Sequence, residues 1–528
     1  MTVENSMIRG FVPALLAAFA AVLLLAGPAR AAEAQIIAEE RIEPRVVELT
    51  ISTPAFTEPT KVHVNLPVGY DTEPDRRWPS TYFLAGTMNT YKTFNSFVDG
   101  VGLTKDFPSL VISPNGDSGY WSDWYNGGAF GAPMYETYVI DQLIPLIDEH
   151  FRTRADRSQR AVMGVSMGAY GSMMFAARHP DLFSSAASIS GAVNSNVGAI
   201  GAALSLSPTF QGGSIDAIYG PRSSQEIRWR GHNPTDLADN LRGLDLQVRT
   251  ANGVLNQGIG ENPLSADAVS CVVESAVHEA SVTFDQKLNE LRIPHVWKDY
   301  GPGCHTKPNF EREVIETLQD FKRGFTSPSP APSPFEYRSI EAEFDIWGWH
   351  VSTDPERALQ FLQMNTVSED GLTLVGSGTT SVTSPPIFGK AARVDIEGAL
   401  PERAVPDSSG RIRFTVDLGP PDTQQEYTTG ATPSQVSRTV SFEAHPKPQK
   451  GPGPGTGSPA KRCVVPKLSG RTLKQARKRL RRAHCRLGKV TGKRRASSRV
   501  VKQHPRARKS VPRNTKVRVK LKARARHS

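Results

Sequence analysis

Residues 160–174 read RAVMGVSMGAYGSMM. An apolar run ends on Gly164, Ser166 stands between Gly164 and Gly168, and a helix-forming stretch follows. The pattern predicts a strand that becomes a helix across a tight turn, with Ser166 pushed into the open as a nucleophile. A glycine turn carrying a solvated serine is the plainer reading of the same residues. The surrounding pattern favours the first.

From about Ala38 to Phe325 short apolar runs alternate with helical stretches, the signature of an α/β sheet. TYFLAG (81–86), SLVISP (109–114), RAVMGV (160–165), LQVRTANG (246–253) and HVWKDYG (295–301) are the strand candidates. YVIDQLIPLIDEHF (138–151) carries apolar residues near helical spacing and predicts a helix. The fold class expected is α/β: an α/β-hydrolase core over 36–326, a Pro/Ser linker at 327–334, a β-sandwich over 335–444, a Pro/Gly linker at 445–462 and a small αβ unit over 463–524. The sandwich reading rests on alternation in FEYRSIEAEFDIWGWHV, LTLVGSGTTSVT and IRFTVDL between turn signals.

At 528 residues the chain is too long for one core. FVPALLAAFAAVLLLAG followed by small residues reads as a secretory signal peptide over 1–34. Four cysteines in an exported chain favour disulfides, and their grouping predicts Cys271 with Cys304 and Cys463 with Cys485. No C-x-x-C or H-x-x-x-H spacing accompanies them, so no metal site is expected. Net charge is +11, but residues 461–528 hold 27 Lys and Arg and no acid, leaving 36 basic against 52 acidic residues elsewhere. That tail will seek anions whatever the body does.

A serine hydroxyl is a weak nucleophile near neutral pH and needs a base, which in turn needs an orienting carboxylate. In this fold the chain order is serine, acid, histidine, which removes His63 and His150. His179 closes the helix after Ser166 and serves as its cap. Of His232, His278, His295 and His305, the last sits in the glycine-rich loop GPGCHTKP after the final strand, free to reach the sheet's carboxyl edge. His305 is the candidate base. Asp236, Glu261, Asp267, Glu274 and Glu279 lie between the two. Cys271, Glu274 and His278 share a helical face, and a Cys271–Cys304 bond would tie that face to the histidine loop. An ordinary i,i+4 pair between Glu274 and His278 explains the same spacing equally well.

FLAGT (83–87), SPNGDSGYWSDWY (113–125), GVSMGAYGSM (164–173), SISGAVN (188–194), HNPTDLADNL (232–241) and GPGCH (301–305) resemble, in the same order, the esterase and mycolyltransferase family that includes antigen 85 and esterase D-like proteins. In that family the acid is a glutamate at a helix start, ten residues before an aromatic. Glu274 stands ten before Phe284, and the resemblance therefore selects it. It also implies an oxyanion hole from the backbone N–H groups of Thr87 and Met167. Trp121, Asp123, Trp124 and Tyr125 are candidates to line or support the cleft, although aromatic residues are more often simple core. Trehalose-acylating members carry an acid and an arginine at the first turn. Ala85 and Met88 stand here, and Thr306 and Lys307 follow the histidine, so the resemblance does not extend to trehalose transfer.

Residues 463–524 resemble a PASTA domain through VVPKLSG, TLKQARKRLRRA and CRLGKV. The resemblance implies peptidoglycan as a partner; an acid-free basic surface would also adhere to an anionic wall polymer. Export makes nucleic acid an unexpected partner. The sequence thus points to a secreted, wall-associated serine esterase or acyltransferase, acting on an acyl ester with water or a sugar or glycan hydroxyl as acceptor, without metal or organic cofactor. The alternative is a non-catalytic wall- or matrix-binding protein on a hydrolase scaffold.

Overall fold

A computed structural model describes residues 33–126, 133–264, 267–446 and 462–523. The expected signal peptide and second linker lie outside these residues except at their edges. Nine strands form one sheet: β1 (Gln35–Glu43), β2 (Val46–Ser52), β3 (Thr60–Asn65), β4 (Ser80–Leu84), β5 (Leu110–Pro114), β6 (Arg160–Val165), β7 (Ser185–Ile189), β8 (Asp245–Thr250) and β9 (Val296–Asp299). Their order is β1-β2-β3-β5-β4-β6-β7-β8-β9, antiparallel up to β5 and parallel from β5 to β9.

The five expected strands are all present. β4, β5 and β6 are buried at every residue, as apolar runs in a parallel sheet covered on both faces should be. β7, the sequence SAASI, is a further strand of the same kind, also buried throughout. Its serines and alanines have little strand propensity, so its position between β6 and β8 makes it a strand. Small side chains there let the helix Lys307–Thr326 approach: a Cβ on Gly324 would lie 3.0 Å from Ser185 Oγ. The helix expected over 138–151 begins at Tyr135, passes through a π-helical segment at Tyr138–Leu143 and finishes as Ile144–His150. Pro145 follows the π-helical segment inside this continuous run, and its missing N–H and its ring disturb the regular α ladder there.

At the turn after β6, backbone touches backbone. A Cβ on Gly164 would lie 2.1 Å from the Gly168 carbonyl oxygen, and one on Gly168 would lie 1.9 Å from that of Leu84. Only glycine fits either position. The first turn of the helix Met167–Arg178 is thereby pressed onto β6 and the end of β4.

After the 327–334 segment, ten strands share one apolar core. Phe335–Ser339, Leu362–Ser368, Gly371–Gly376, Val436–Pro446, Ala391–Glu397 and Arg403–Ala404 form one sheet in that order; Glu343–Ile346, Trp349–Ser352, Thr379–Thr383 and Arg413–Asp417 form the other. The linker does not hold this sandwich at a distance. Ile340 is buried in the core of the nine-stranded sheet domain, Tyr337 donates its hydroxyl to the Arg178 carbonyl at 2.7 Å, and Arg178 pairs with Glu341 at 2.8 Å. The described residues up to Pro446 form one compact unit and those from Arg462 a second.

The second unit carries the helix Leu473–Arg482, opened by a Thr472/Gln475 capping box, beside a three-stranded sheet of Arg486–Thr491, Lys516–Lys522 and Arg499–His504. Cys463 is joined to Cys485, and Cys271 to Cys304, the two expected pairings. Among the described residues no helix is long and apolar enough to cross a membrane.

Gly168→Ala should destabilise the hydrolase unit by roughly 3 kcal/mol, the upper range for over-packing against immovable backbone. Gly198→Ala, at a helical position with nothing within 4 Å of its added Cβ, should leave stability unchanged or raise it by about 0.5 kcal/mol. Urea midpoints of the two variants make the comparison.

Candidate active site

Ser166 has φ 57° and ψ −119°, a backbone region that side-chain-bearing residues rarely enter. Four backbone hydrogen bonds hold it there. Its N–H donates to Ile189 at the end of β7 (3.0 Å), and its carbonyl accepts from Ala169 (3.1 Å), Tyr170 (3.3 Å) and Ala192 (3.2 Å). Serine at a helix N-cap ordinarily bonds its hydroxyl to the first turn. Ser166 makes no such bond, so the half-buried hydroxyl is left available.

The turn after β4 lies against this serine: a Cβ on Gly86 would stand 3.2 Å from Ser166 Cβ. Asn89 N–H closes the turn onto the Gly86 carbonyl, and Met88 N–H donates to Ser118 Oγ, so neither bond consumes the Thr87 N–H. Met167 occupies the first helical position, whose N–H has no intrahelical acceptor. Trp121, fully buried, steadies the turn by donating its indole N–H to the Ala85 carbonyl at 3.2 Å.

Glu274 is completely buried two turns into the helix Asp267–Glu290, further along than a helix start. Its Oε1 accepts from the Ala251 N–H at 2.9 Å and from Ser190 Oγ at 2.7 Å, and its Oε2 lies 2.7 Å from His305 Nδ1. The imidazole packs edge-on against Phe310, centroids 4.8 Å apart. With Nδ1 taken, Nε2 is the nitrogen left for chemistry. Ser166 is not hydrogen-bonded directly to this imidazole; the two meet through β7, where Ile189 holds Ser166 and the next residue, Ser190, holds Glu274.

The other histidines and acids are otherwise engaged. His63, His150, His179 and His295 face Glu48, Glu39, Glu136 and Asp285, and His232 Nδ1 meets the Arg228 carbonyl. The i,i+4 pair between Glu274 and His278 does not form; His278 meets Asp299 at 3.0 Å. Asp236 binds Arg230 and Asn233, and Glu279 is exposed. Glu261, a rival for the acid on spacing alone, clasps the histidine loop instead. It accepts from the Cys304 N–H, from Thr306 Oγ1 and from the Asn256 N–H, each at 2.7 Å.

The aromatic segment is placed differently from expectation. Asp123 Oδ1 accepts from the N–H groups of Glu136 and Thr137, and Oδ2 from Thr137 Oγ1. Burial, and then the charge of Glu136, push its carboxyl up to about 6. Asp123 is a helix anchor, and Trp124 is buried with its indole N–H on the Gly119 carbonyl. With the exposed Tyr125 they line a cleft of about 420 Å³ that contains Arg178 and His179. These end the helix that Ser166 begins, some 16 Å along its axis. As substrate-binding residues at Ser166 the three are therefore not supported. Ser190 and Ala251 are site residues that sequence reasoning missed, with SISG (188–191) the only signal for either, and Glu261, a candidate acid on spacing, takes a loop-clasping role that spacing did not indicate.

A model described as putative esterase matches residues 53–321, and a PASTA domain model matches residues 464–522. An esterase of Mycobacterium tuberculosis is 27% identical over 289 residues, 54% of this chain and 61% of the relative, so the chain spans about three-fifths of that protein's length. The diacylglycerol acyltransferase/mycolyltransferase Ag85B of Mycolicibacterium smegmatis is 29% identical over 248 residues, 45% of this chain and 71% of the relative. Among solved structures, Mycobacterium tuberculosis MPT51 aligns over 55% of this chain and 99% of its own, with 17% identity and a TM-score of 0.44.

Glu261→Ala should free both flanks of the histidine loop. Loss of a hydrogen bond to a charged acceptor, about 1.5–3 kcal/mol, predicts 10- to 100-fold faster exchange of the Cys304 amide in hydrogen–deuterium exchange.

Proposed function

The chain belongs to the putative esterase family, and from that footing we propose that it is a secreted serine esterase or acyltransferase using Ser166, His305 and Glu274. The observation that carries this reading is the bond from the buried Glu274 to His305 Nδ1, set behind a serine whose strained backbone frees its hydroxyl. Ser166 Oγ attacks the ester carbonyl while His305 Nε2 takes its proton. Glu274 keeps Nδ1 protonated and stabilises the imidazolium that forms. The N–H groups of Thr87 and Met167 receive the developing oxyanion, worth several kcal/mol to the transition state. On collapse His305 returns the proton to the departing alcohol, leaving an acyl-serine. Water or a sugar hydroxyl then gives its proton to His305 as it attacks the acyl carbon, and His305 passes that proton to Ser166 Oγ as the acyl product leaves. The direct serine–imidazole bond forms when substrate closes the site, as catalytic hydrogen bonds commonly do.

Export is supported by two disulfides and by the lack of a free cysteine among the described residues. The basic unit serves as a wall anchor. Lys474, Arg477, Lys478, Arg481 and Arg482 on its helix and Arg494 opposite surround a groove of about 1080 Å³ over Leu473, Leu487 and Leu521. With no carboxylate in this part of the chain, these cations have no internal counter-charge. Peptidoglycan or an anionic wall polymer would supply it.

Ser166→Ala should lower turnover of a p-nitrophenyl ester by at least about a hundredfold, and Glu274→Gln should cost orders of magnitude where Asp236→Asn does not. Equal rates for wild type and Ser166→Ala would leave only the scaffold reading. Binding of the full chain to purified wall sacculi should weaken linearly in log K against log salt concentration. The double variant Arg481→Ala/Arg482→Ala should reduce that slope by about one per charge removed. A salt-independent affinity would rule out the electrostatic anchor.

A further inference from the structure

A second carboxyl, Glu313 of the helix Lys307–Thr326, lies beneath Glu274 and is also fully buried. Both converge on one hydroxyl. Ser190 Oγ is 2.7 Å from Glu274 Oε1, and 3.2 and 3.3 Å from the two oxygens of Glu313. A serine hydroxyl has one proton to give and two lone pairs to receive. Two ionised carboxylates cannot both be served by it, and one of the two acids must carry a proton of its own.

The geometry decides which. Glu274 is ringed by donors: a backbone N–H that can only donate, the shortest contact to Ser190 and the His305 Nδ1 position. Glu313 receives one unambiguous donation, from Asn309 Nδ2 to Oε1 at 3.0 Å, and Asn309 Nδ2 also lies 3.2 Å from Ser190 Oγ. A proton on Glu313 Oε2 completes the set. Glu313 then donates to Ser190 Oγ, Ser190 Oγ donates to Glu274 Oε1, and Glu274 Oε2 faces His305. Every proton in the row then has an acceptor.

We propose that Glu313 is a positioning residue for the triad: a carboxylic acid held un-ionised, which through Ser190 keeps Glu274 a fixed, acceptor-only carboxylate facing His305. The charged groups facing it are Glu274 from the helix Asp267–Glu290, Arg249 from β8 and Arg312 from its own helix. Neither guanidinium is hydrogen-bonded to Glu313: Arg249 gives Nη2 to Asp320, its other two nitrogens being buried without a partner, and Arg312 is held by Asn309 Oδ1 and the Pro302 carbonyl. Burial, and next the charge of Glu274, accordingly push the Glu313 carboxyl well above the usual carboxylate range. The role rests on the triad reading given above, whereas the protonation state does not.

The experiment separates the two. Infrared difference spectra of the full chain, wild type minus Glu313→Gln, should show the carbonyl stretch of a protonated carboxyl persisting to mildly alkaline pH, in both the Ser166 and Ser166→Ala backgrounds. Carboxylate bands alone at neutral pH would overturn the proposal, whether or not the protein hydrolyses esters. In ester turnover, Glu313→Ala should lower kcat about tenfold or more with KM little changed, and Glu313→Gln, which keeps a donor towards Ser190, should recover most of that loss. The acid limb of the kcat/KM profile should stay in place in Glu313→Gln, because a neutral group replaces a neutral group. A shift of that limb to lower pH would mean that a negative charge had been removed beside His305, and the proposal would fail. So would a Glu313→Gln enzyme as slow as Glu313→Ala.

Discussion

The contact between the Gly168 backbone and the Leu84 carbonyl is the constraint from which the rest of the site follows. Because β4, β6 and the Met167–Arg178 helix meet with no side chain between them, the chain has no room to enter that helix through an ordinary N-cap. Ser166 absorbs the bend in a backbone conformation that costs about 1–3 kcal/mol. Its hydrogen bonds to Ile189, Ala169, Tyr170 and Ala192 offset the strain. The same compression sets Gly86 against Ser166 and brings the Thr87 turn beside the serine.

Around this bend the fold solves a second difficulty, a buried carboxylate. A charge without partners in a protein interior is strongly destabilising. Glu274 is accommodated because β7, β8 and the histidine loop each direct a donor at it. Glu261 performs a related task one layer out, holding the loop on both sides of His305. The Cys271–Cys304 bond adds a covalent tie between that loop and the helix bearing Glu274. The imidazole is thus fixed from both flanks and through its own ring nitrogen.

Beyond the site, charge separates along the chain. The first unit is acidic, and some of its charges pair internally, as where Arg178 binds both Glu136 and Glu341 and fastens the sandwich to the nine-stranded sheet domain. The second unit has no Asp or Glu, and among its described residues no cation is paired with an acidic side chain. Charge of opposite sign on the two units means that a polyanion is repelled by the first and attracted by the second.

By itself the sequence determined the α/β class, the tight turn at Ser166, the five apolar strands, both disulfides and the placing of His305 in a loop after the last strand. Each is written locally: glycines where backbone touches backbone, continuous apolar runs, a histidine in a glycine-rich loop. Spacing left Glu274 level with an i,i+4 surface pair, and only the resemblance to known esterases separated them. Tertiary structure alone decided what no local pattern encodes: that SAASI is a strand, that Asp123 and Trp124 belong to the far end of the helix, that the sandwich is docked, and that Ser190, Glu261 and Glu313 gather around one histidine. The physical reason is that a buried polar group is defined by its partners. Those partners come from strands and helices separated by up to 123 positions along the chain, so only folding brings them into register.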